Sequence, residues 1–236
     1  NGSLSSIVEQ CKAAMCYPDN GLPIMIYGPT GTGKTLLANT MYDYALHQGV
    51  IESNSRFVSV NCSEYANNPE LLTSNLFGHV KGAYTSAEED QDGLISLANG
   101  GVLFLDEVHR LPPEGQEMIF YFIDTGTFNR LGETKRERKA RVLIIGATTE
   151  NPDSVLTRTF KRRIPNIIQI PPLVDRPIEE KMEITKLLFL KEARSIKRPI
   201  KVSGDAVKAL IQAAVQPLLQ QVHVHKNLNV LDDLTA

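Results

Sequence analysis

Residues 28–35 read Gly-Pro-Thr-Gly-Thr-Gly-Lys-Thr and stand directly behind the short apolar run 23–27, a pairing that restricts the fold more than any other stretch of the chain. The run is brief and bounded by turn formers, which predicts a buried strand. The residues from Leu36 to about His47 predict a helix. Glycines at 28, 31 and 33 let the backbone between strand and helix curl tightly, so successive N–H groups and the positive end of the helix aim at one point. That point suits a phosphate. Lys34 is placed to reach the β and γ phosphates of a nucleotide, and the Thr35 hydroxyl to ligate a Mg2+ ion on the same oxygens. The expected nucleotide-binding set is Gly28, Pro29, Thr30, Gly31, Thr32, Gly33, Lys34, Thr35 and Leu36, joined further along by Asp106.

Residues 100–107, Gly-Gly-Val-Leu-Phe-Leu-Asp-Glu, predict a second buried strand with two carboxylates at its end, where burial is costly without a cation or a water to act on. This is the pattern of a Walker B strand. Asp106 then shares the metal with Thr35, and Glu107 polarises the attacking water as general base, an acidic turn being the plainer alternative. The strand predicted over 142–147 ends in Thr148 and Thr149, which are either ordinary strand-end threonines or hydroxyls at a γ-phosphate. Asn61 ends a strand over 56–60. There it points into the crevice where open α/β sheets bind ligands, or caps a plain turn.

The remaining segments fit around those strands. Leu4, Ile7, Val8, Cys11 and Ala14 recur at helical spacing. Within 69–93, Leu71, Leu72, Leu76 and Phe77 form a helix face, followed by 82–87, small residues carrying one aromatic and one hydroxyl. That composition makes a poor core and a good exposed contact loop. His79 is expected to be a surface or packing residue rather than a ligand, since no second ligand lies at metal spacing. A helix is predicted over 111–125. The basic stretch 133–141 reads as a solvated hairpin, with nucleic-acid contact as the alternative. Arg158, Lys161, Arg162 and Arg163 form either a solvated face or arginine fingers acting on a neighbour's nucleotide. Pro171-Pro172-Leu173 predicts a hinge. It divides an α/β nucleotide-binding subdomain, 1–173, from a small all-helical lid, 174–236, with helices over 179–198 and after a Ser203 cap.

Composition limits the partners. A formal net charge of −2 over 236 residues gives no global attraction to nucleic acid or anionic membrane, so only local basic patches qualify. Three cysteines, Cys11, Cys16 and Cys62, at no metal spacing fit unpaired thiols in a reducing, cytoplasmic compartment. No apolar run approaches the ~18 residues that span a bilayer. The opening Asn1-Gly2-Ser3, without Met, predicts a piece of a longer chain.

The span from about Ile7 to Leu173 resembles the AAA+ ATPase domain of sigma-54-dependent transcriptional activators, the bacterial enhancer-binding proteins, and within them the LevR-like regulators of sugar-utilisation operons. The specific signal is Gly82-Ala83-Tyr84-Thr85-Ser86-Ala87, matching the family's Gly-Ala-Phe-Thr-Gly-Ala loop with Tyr for Phe and Ser for the second Gly. Supporting it are Val60-Asn61-Cys62, the 100–107 strand, Phe128-Asn129-Arg130-Leu131-Gly132 and the Pro-Pro-Leu hinge.

The resemblance implies a P-loop α/β fold with a parallel sheet between helices, ATP and Mg2+ as cofactors, and a ring of identical subunits, usually a hexamer. It implies that Asn61 holds Glu107 away from the water in one nucleotide state, that Thr148 is sensor I, and that Arg162, or else Arg158 or Arg163, is the finger reaching a neighbouring ATP. Gly82, Ala83, Tyr84 and Thr85 then contact sigma-54 RNA polymerase, while enhancer DNA is bound by domains outside this chain. Two departures stand out. Ser86 stiffens the loop, and after Val215 the family's Pro-Gly-Asn lid motif is missing, so no sensor II residue is assigned. The alternatives are another AAA+ remodelling ATPase, either a protein unfoldase or a DNA-remodelling motor, and a nucleotide-switched binding protein without turnover.

Overall fold

The computed structural model describes residues 2–18, 21–85, 87–134, 136–196 and 205. Its strands are β1 (Ile24–Tyr27), β2 (Phe57–Asn61), β3 (Gly78–His79), β4 (Gln91–Asp92), β5 (Val102–Asp106), β6 (Thr127–Phe128), β7 (Arg138–Lys139), β8 (Leu143–Thr148) and β9 (Asn166–Gln169). The helices are α1 (Ser5–Met15), α2 (Lys34–His47), α3 (Pro69–Phe77), α4 (Leu94–Leu97), α5 (Pro113–Thr125), α6 (Pro152–Val155), α7 (Arg158–Arg162) and α8 (Ile178–Ile196).

Five strands form one parallel sheet in the order β2-β5-β8-β1-β9. Because side chains alternate across a strand, each strand feeds both faces, and both are covered. Met25, Leu103, Leu105 and Ile144 pack on one face with Leu72, Leu76 and Phe77 of α3 and Ile119 and Phe122 of α5. Ile24, Ile26, Phe104 and Ile145 pack on the other with Cys11, Ala14 and Met15 of α1 and Ala38 and Met41 of α2. This two-sided burial is why the strand sequences read as continuous apolar runs rather than alternating ones.

Strand register then fixes the functional edge. Tyr27 lies opposite Thr148, and Asn61 opposite Asp106, so the ends of β1, β2, β5 and β8 reach the same edge of the sheet. Two antiparallel two-strand ladders, β3 with β4 and β6 with β7, stand apart from it. Neither ladder is visible as a periodicity, since two residues are too few to alternate. The mixed-charge stretch is a hairpin: Arg138 pairs with Glu133 and Asp92, and Arg130 with Asp90 and Asp92.

Two compact units divide the chain. One is Leu4–Ile170, and the described residues of the other are 2–3, 171–196 and 205. In the second unit, Leu173–Asp175 is a 3-10 turn preceding α8, and the Arg176 guanidinium donates to the Pro171 carbonyl. The helix expected after Ser203 lies outside the described residues.

Gly101 precedes β5 so closely against β2 that a Cβ there would stand 2.2 Å from the Arg56 carbonyl oxygen. Backbone cannot yield as a side-chain tip can. Gly101→Ala is therefore expected to lower unfolding stability by about 1–3 kcal/mol through overpacking, read as a lower denaturant midpoint at unchanged slope.

Candidate functional site

The phosphate-binding loop is built by backbone geometry. Gly33 caps α2 in the left-handed region (φ 95), and Gly28 packs so tightly that a Cβ would meet the Ile170 carbonyl oxygen at 2.6 Å. Only glycine fits either position. The Gly28 N–H donates to the Thr148 carbonyl at 3.2 Å, tying the loop to β8, and the Thr32 hydroxyl donates to the Pro29 carbonyl at 2.9 Å. Lys34 is buried, and its ammonium donates to the carbonyls of Gly28 at 2.8 Å and Pro29 at 3.2 Å. Burial lowers its pKa, and the charges of Glu107 and Asp106 oppose that shift.

A cavity of about 300 Å³ is lined by Thr30, Gly31, Gly33, Lys34, Thr35, Leu36, Asp106 and Glu107. Two segments some seventy residues apart in sequence thus converge on one space, with ammonium, hydroxyl and carboxylates facing it. Leu36 is largely exposed at its margin. Asp106 accepts from the Glu107 N–H at 3.0 Å, yet burial, first of all, raises its pKa. Thr35 and Asp106 both line the cavity, and a hydroxyl and a carboxylate are oxygen donors of the kind Mg2+ takes.

Glu107 has a left-handed backbone (φ 48, ψ 46), alone among the described non-glycine residues. Such a conformation costs on the order of 1 kcal/mol and recurs at functional sites. Its Oε2 accepts from the Thr149 N–H at 3.2 Å and the Thr149 hydroxyl at 3.0 Å. The Nδ1 of His109 lies 3.3 Å from the same oxygen and 2.9 Å from Thr148 Oγ1. Burial lowers the His109 pKa, and the Glu107 charge opposes that shift.

The other expected residues lie as follows. Asn61 forms no hydrogen bond to Glu107 among the described residues; its Oδ1 accepts from the N–H and hydroxyl of Ser63, capping a 3-10 turn. Thr149 contacts Glu107 instead. Its position beside Thr148 was visible in sequence, whereas its hydrogen bond was not. His109, a further residue sequence reasoning passed over, follows the two acids on the turn Val108–Arg110. Arg163 is committed within its own chain, bonded to Asp124 at 2.7 Å and stacked 4.1 Å from the Phe120 ring. Arg158 and Arg162 are exposed and carry no ion pair among the described residues. In the 82–87 loop Gly82 and Thr85 are exposed and Ala83 half-buried, while Ser86 lies outside the described residues. Tyr84 is half-buried rather than a free knob, its ring edge-on to His79 at 5.0 Å. His79 is itself buried and bonded to Ser74, which makes it the packing residue expected.

A parallel sheet carrying a glycine-rich phosphate loop and a paired-acid strand on one edge defines an AAA+ P-loop nucleoside triphosphatase fold. Solved structures agree: NtrX from Brucella abortus in complex with ATP aligns with TM-score 0.68 at 26% identity, over 86% of this chain and 43% of that one. A mutant of RuvB from Thermotoga maritima shares the fold at TM-score 0.54 and 17% identity, over 87% of this chain and 53% of that one. Residues 1–170 match the Sigma-54 interaction domain, and the chain belongs to that family. Among its relatives are the transcriptional regulatory proteins LevR of Bacillus subtilis, 52% identical over 90% of this chain, and DagR of Salmonella typhimurium, 45% identical over 93%. The chain spans 23% of the length of each. No helix among the described residues is long and apolar enough to cross a membrane.

The raised pKa of Asp106 carries a stability consequence. Its folded-state pKa exceeds the unfolded one, so the ionised group opposes folding at neutral pH, and that penalty fades as pH falls through the folded-state pKa. Asp106→Asn keeps an acceptor for the Glu107 N–H. In EDTA it is expected to raise the unfolding midpoint at pH 7, with the gain shrinking towards pH 4 in parallel denaturation curves.

Proposed function

We propose that this chain is the ATP-hydrolysing domain of a bacterial sigma-54-dependent transcriptional activator. The observation that carries the reading is the cavity onto which Lys34, Thr35, Asp106 and Glu107 converge. The loop residues Gly28, Pro29, Thr30, Gly31, Thr32 and Gly33 cradle the phosphates through backbone N–H groups, and Lys34 leaves its loop carbonyls for the β and γ oxygens. Thr35 and Asp106 would hold Mg2+, which would supply charge neutralisation to the nucleotide phosphates. Glu107 accepts the proton of the attacking water, and Thr148 reads the γ-phosphate. Leu36 borders the nucleotide from the exposed side of α2.

The charge spreading over the transferred phosphoryl calls for a guanidinium as well. Arg163 is engaged with Asp124, which favours the exposed Arg162, then Arg158, as a finger acting on a neighbouring subunit in a ring, most simply a hexamer. We assign Gly82, Ala83, Tyr84 and Thr85 to contact with sigma-54 RNA polymerase, the whole acting in the cytoplasm. DNA is bound through parts of the protein outside this chain.

Lys34→Ala is expected to abolish ATP binding, whereas Glu107→Gln keeps binding and loses turnover; equal loss of affinity in both would overturn the role assignment. For Arg162→Ala, ATP binding should survive while phosphate release falls on the order of 10³-fold. Mixing that variant with Glu107→Gln should restore turnover if the finger acts between subunits. Thr85→Ala should hydrolyse ATP within a few-fold of the parent yet fail to capture sigma-54 with a transition-state ATP analogue. A parent that hydrolyses ATP as a ring without binding sigma-54 belongs to another kind of AAA+ remodelling machine.

A further inference from the structure

His109 occupies a position that the hydrolytic roles above leave unused. Its side chain is only 10% exposed, and one ring nitrogen faces two reacting partners: Nδ1 lies 2.9 Å from Thr148 Oγ1 and 3.3 Å from Glu107 Oε2. A carboxylate offers lone pairs only, so its approach to Nδ1 is attractive when Nδ1 carries the proton and repulsive when Nδ1 presents its own lone pair. The protonated Nδ1 has a second effect. Thr148 Oγ1 already accepts from the Glu150 N–H at 3.0 Å, and an Nδ1–H makes it accept again. With both lone pairs engaged, the threonine hydroxyl is left to act as a donor. The Glu150 carbonyl, 3.4 Å away, is a long partner for that proton, and a phosphate oxygen is a better one.

Glu107 receives the complementary restraint. Thr149 donates to Oε2 through both N–H and hydroxyl, which leaves Oε1 to accept from a water, while the Nδ1–H directed at Thr148 lies close enough to Oε2 to attract it electrostatically. Glu107 also lines the phosphate cavity, so the residue that Thr149 and His109 approach belongs to the phosphate site.

We propose that His109, as its Nδ1–H tautomer and together with Thr149, is a positioning residue that fixes the Glu107 carboxylate for proton abstraction and polarises Thr148 as a donor to the γ-phosphate. This rests on the ATPase reading above and adds a residue that ties the base to the sensor. The Asn61 latch implied by resemblance is not required for it, since Asn61 is committed to Ser63.

The test uses the 236-residue chain with three substitutions. His109→Leu fills the space without a donor, and kcat is expected to fall about 10- to 100-fold, the scale of a misplaced catalytic group. ATP affinity should stay within about threefold, because ground-state binding is not what His109 serves. His109→Asn places an N–H close to Nδ1 and should recover most of the loss; Thr149→Val should resemble the Leu variant. The idea is overturned if His109→Leu retains its kcat, if Asn is as poor as Leu, or if affinity falls in step with turnover.

A second measurement is independent of turnover. Long-range 1H–15N NMR of the labelled parent should show the neutral imidazole protonated on Nδ1, a preference lost in Glu107→Ala. An Nε2–H tautomer in the parent, unchanged by that substitution, overturns the proposal even if the chain hydrolyses ATP. A parent without ATPase activity but with the predicted tautomer overturns the functional reading and leaves the hydrogen-bond assignment standing.

Discussion

The Lys34 ammonium lies buried at the start of α2, donating to two loop carbonyls, and it faces two carboxylates at the end of β5 that share its partly desolvated space. Burial weakens the charged form on both sides: the lysine pKa is lowered and that of Asp106 raised, and their mutual attraction offsets this only in part. Charges kept in such surroundings are poorly solvated by protein alone. They bind counter-charges strongly when offered them, which is the electrostatic condition for gripping a polyphosphate and its cation.

Holding those charges in register requires a scaffold that does not yield, and the two-sided sheet supplies it. β5 is buried on both faces, and Asp106 sits opposite Asn61 on one neighbour while Thr148 ends the other. The Gly28 N–H bond to the Thr148 carbonyl links the phosphate loop to the sensor strand. The strained backbone of Glu107 belongs to the same construction. After five residues of regular strand, a left-handed step turns the second carboxylate toward Thr149 and His109 rather than along the strand.

What could be read from sequence follows from the range of the interactions concerned. The phosphate loop, the acidic strand end and the polar strand termini were legible because local backbone chemistry and burial dictate residue types at fixed spacing. The two-residue ladders were not, since Gly78–His79 and Gln91–Asp92 pair only once the chain has folded back. The partner of Glu107 was illegible for the same reason: Thr149 and Asn61 are equally polar strand-end residues, and only tertiary geometry gives Thr149 the bond and directs Asn61 to Ser63. Tyr84 looked like an exposed anchor because its neighbours are small. A buried histidine five residues earlier offered it a ring to lie against.

The β3 and β4 segments that flank the 82–87 loop are joined to the charged hairpin strongly enough to constrain how any change at the nucleotide could reach them. Arg130, whose side chain is 11% exposed, takes both Asp90 and Asp92, and Arg138 adds Asp92 and Glu133. Exposed ion pairs taken singly contribute little, but a shielded guanidinium shared by two carboxylates is harder to solvate apart. Backbone bonds reinforce the link, from the Val80 N–H to the Leu131 carbonyl and from the Leu131 N–H to the Gly78 carbonyl. Gly132 also lies so near Ala83 that a Cβ would stand 3.0 Å from its methyl carbon. The two segments therefore move as one body or break several contacts at once. Displacement has to enter at their common base, where α3 runs into β3 and α5 into β6, both elements packed on the sheet face that carries Leu103 and Leu105 of the acidic strand.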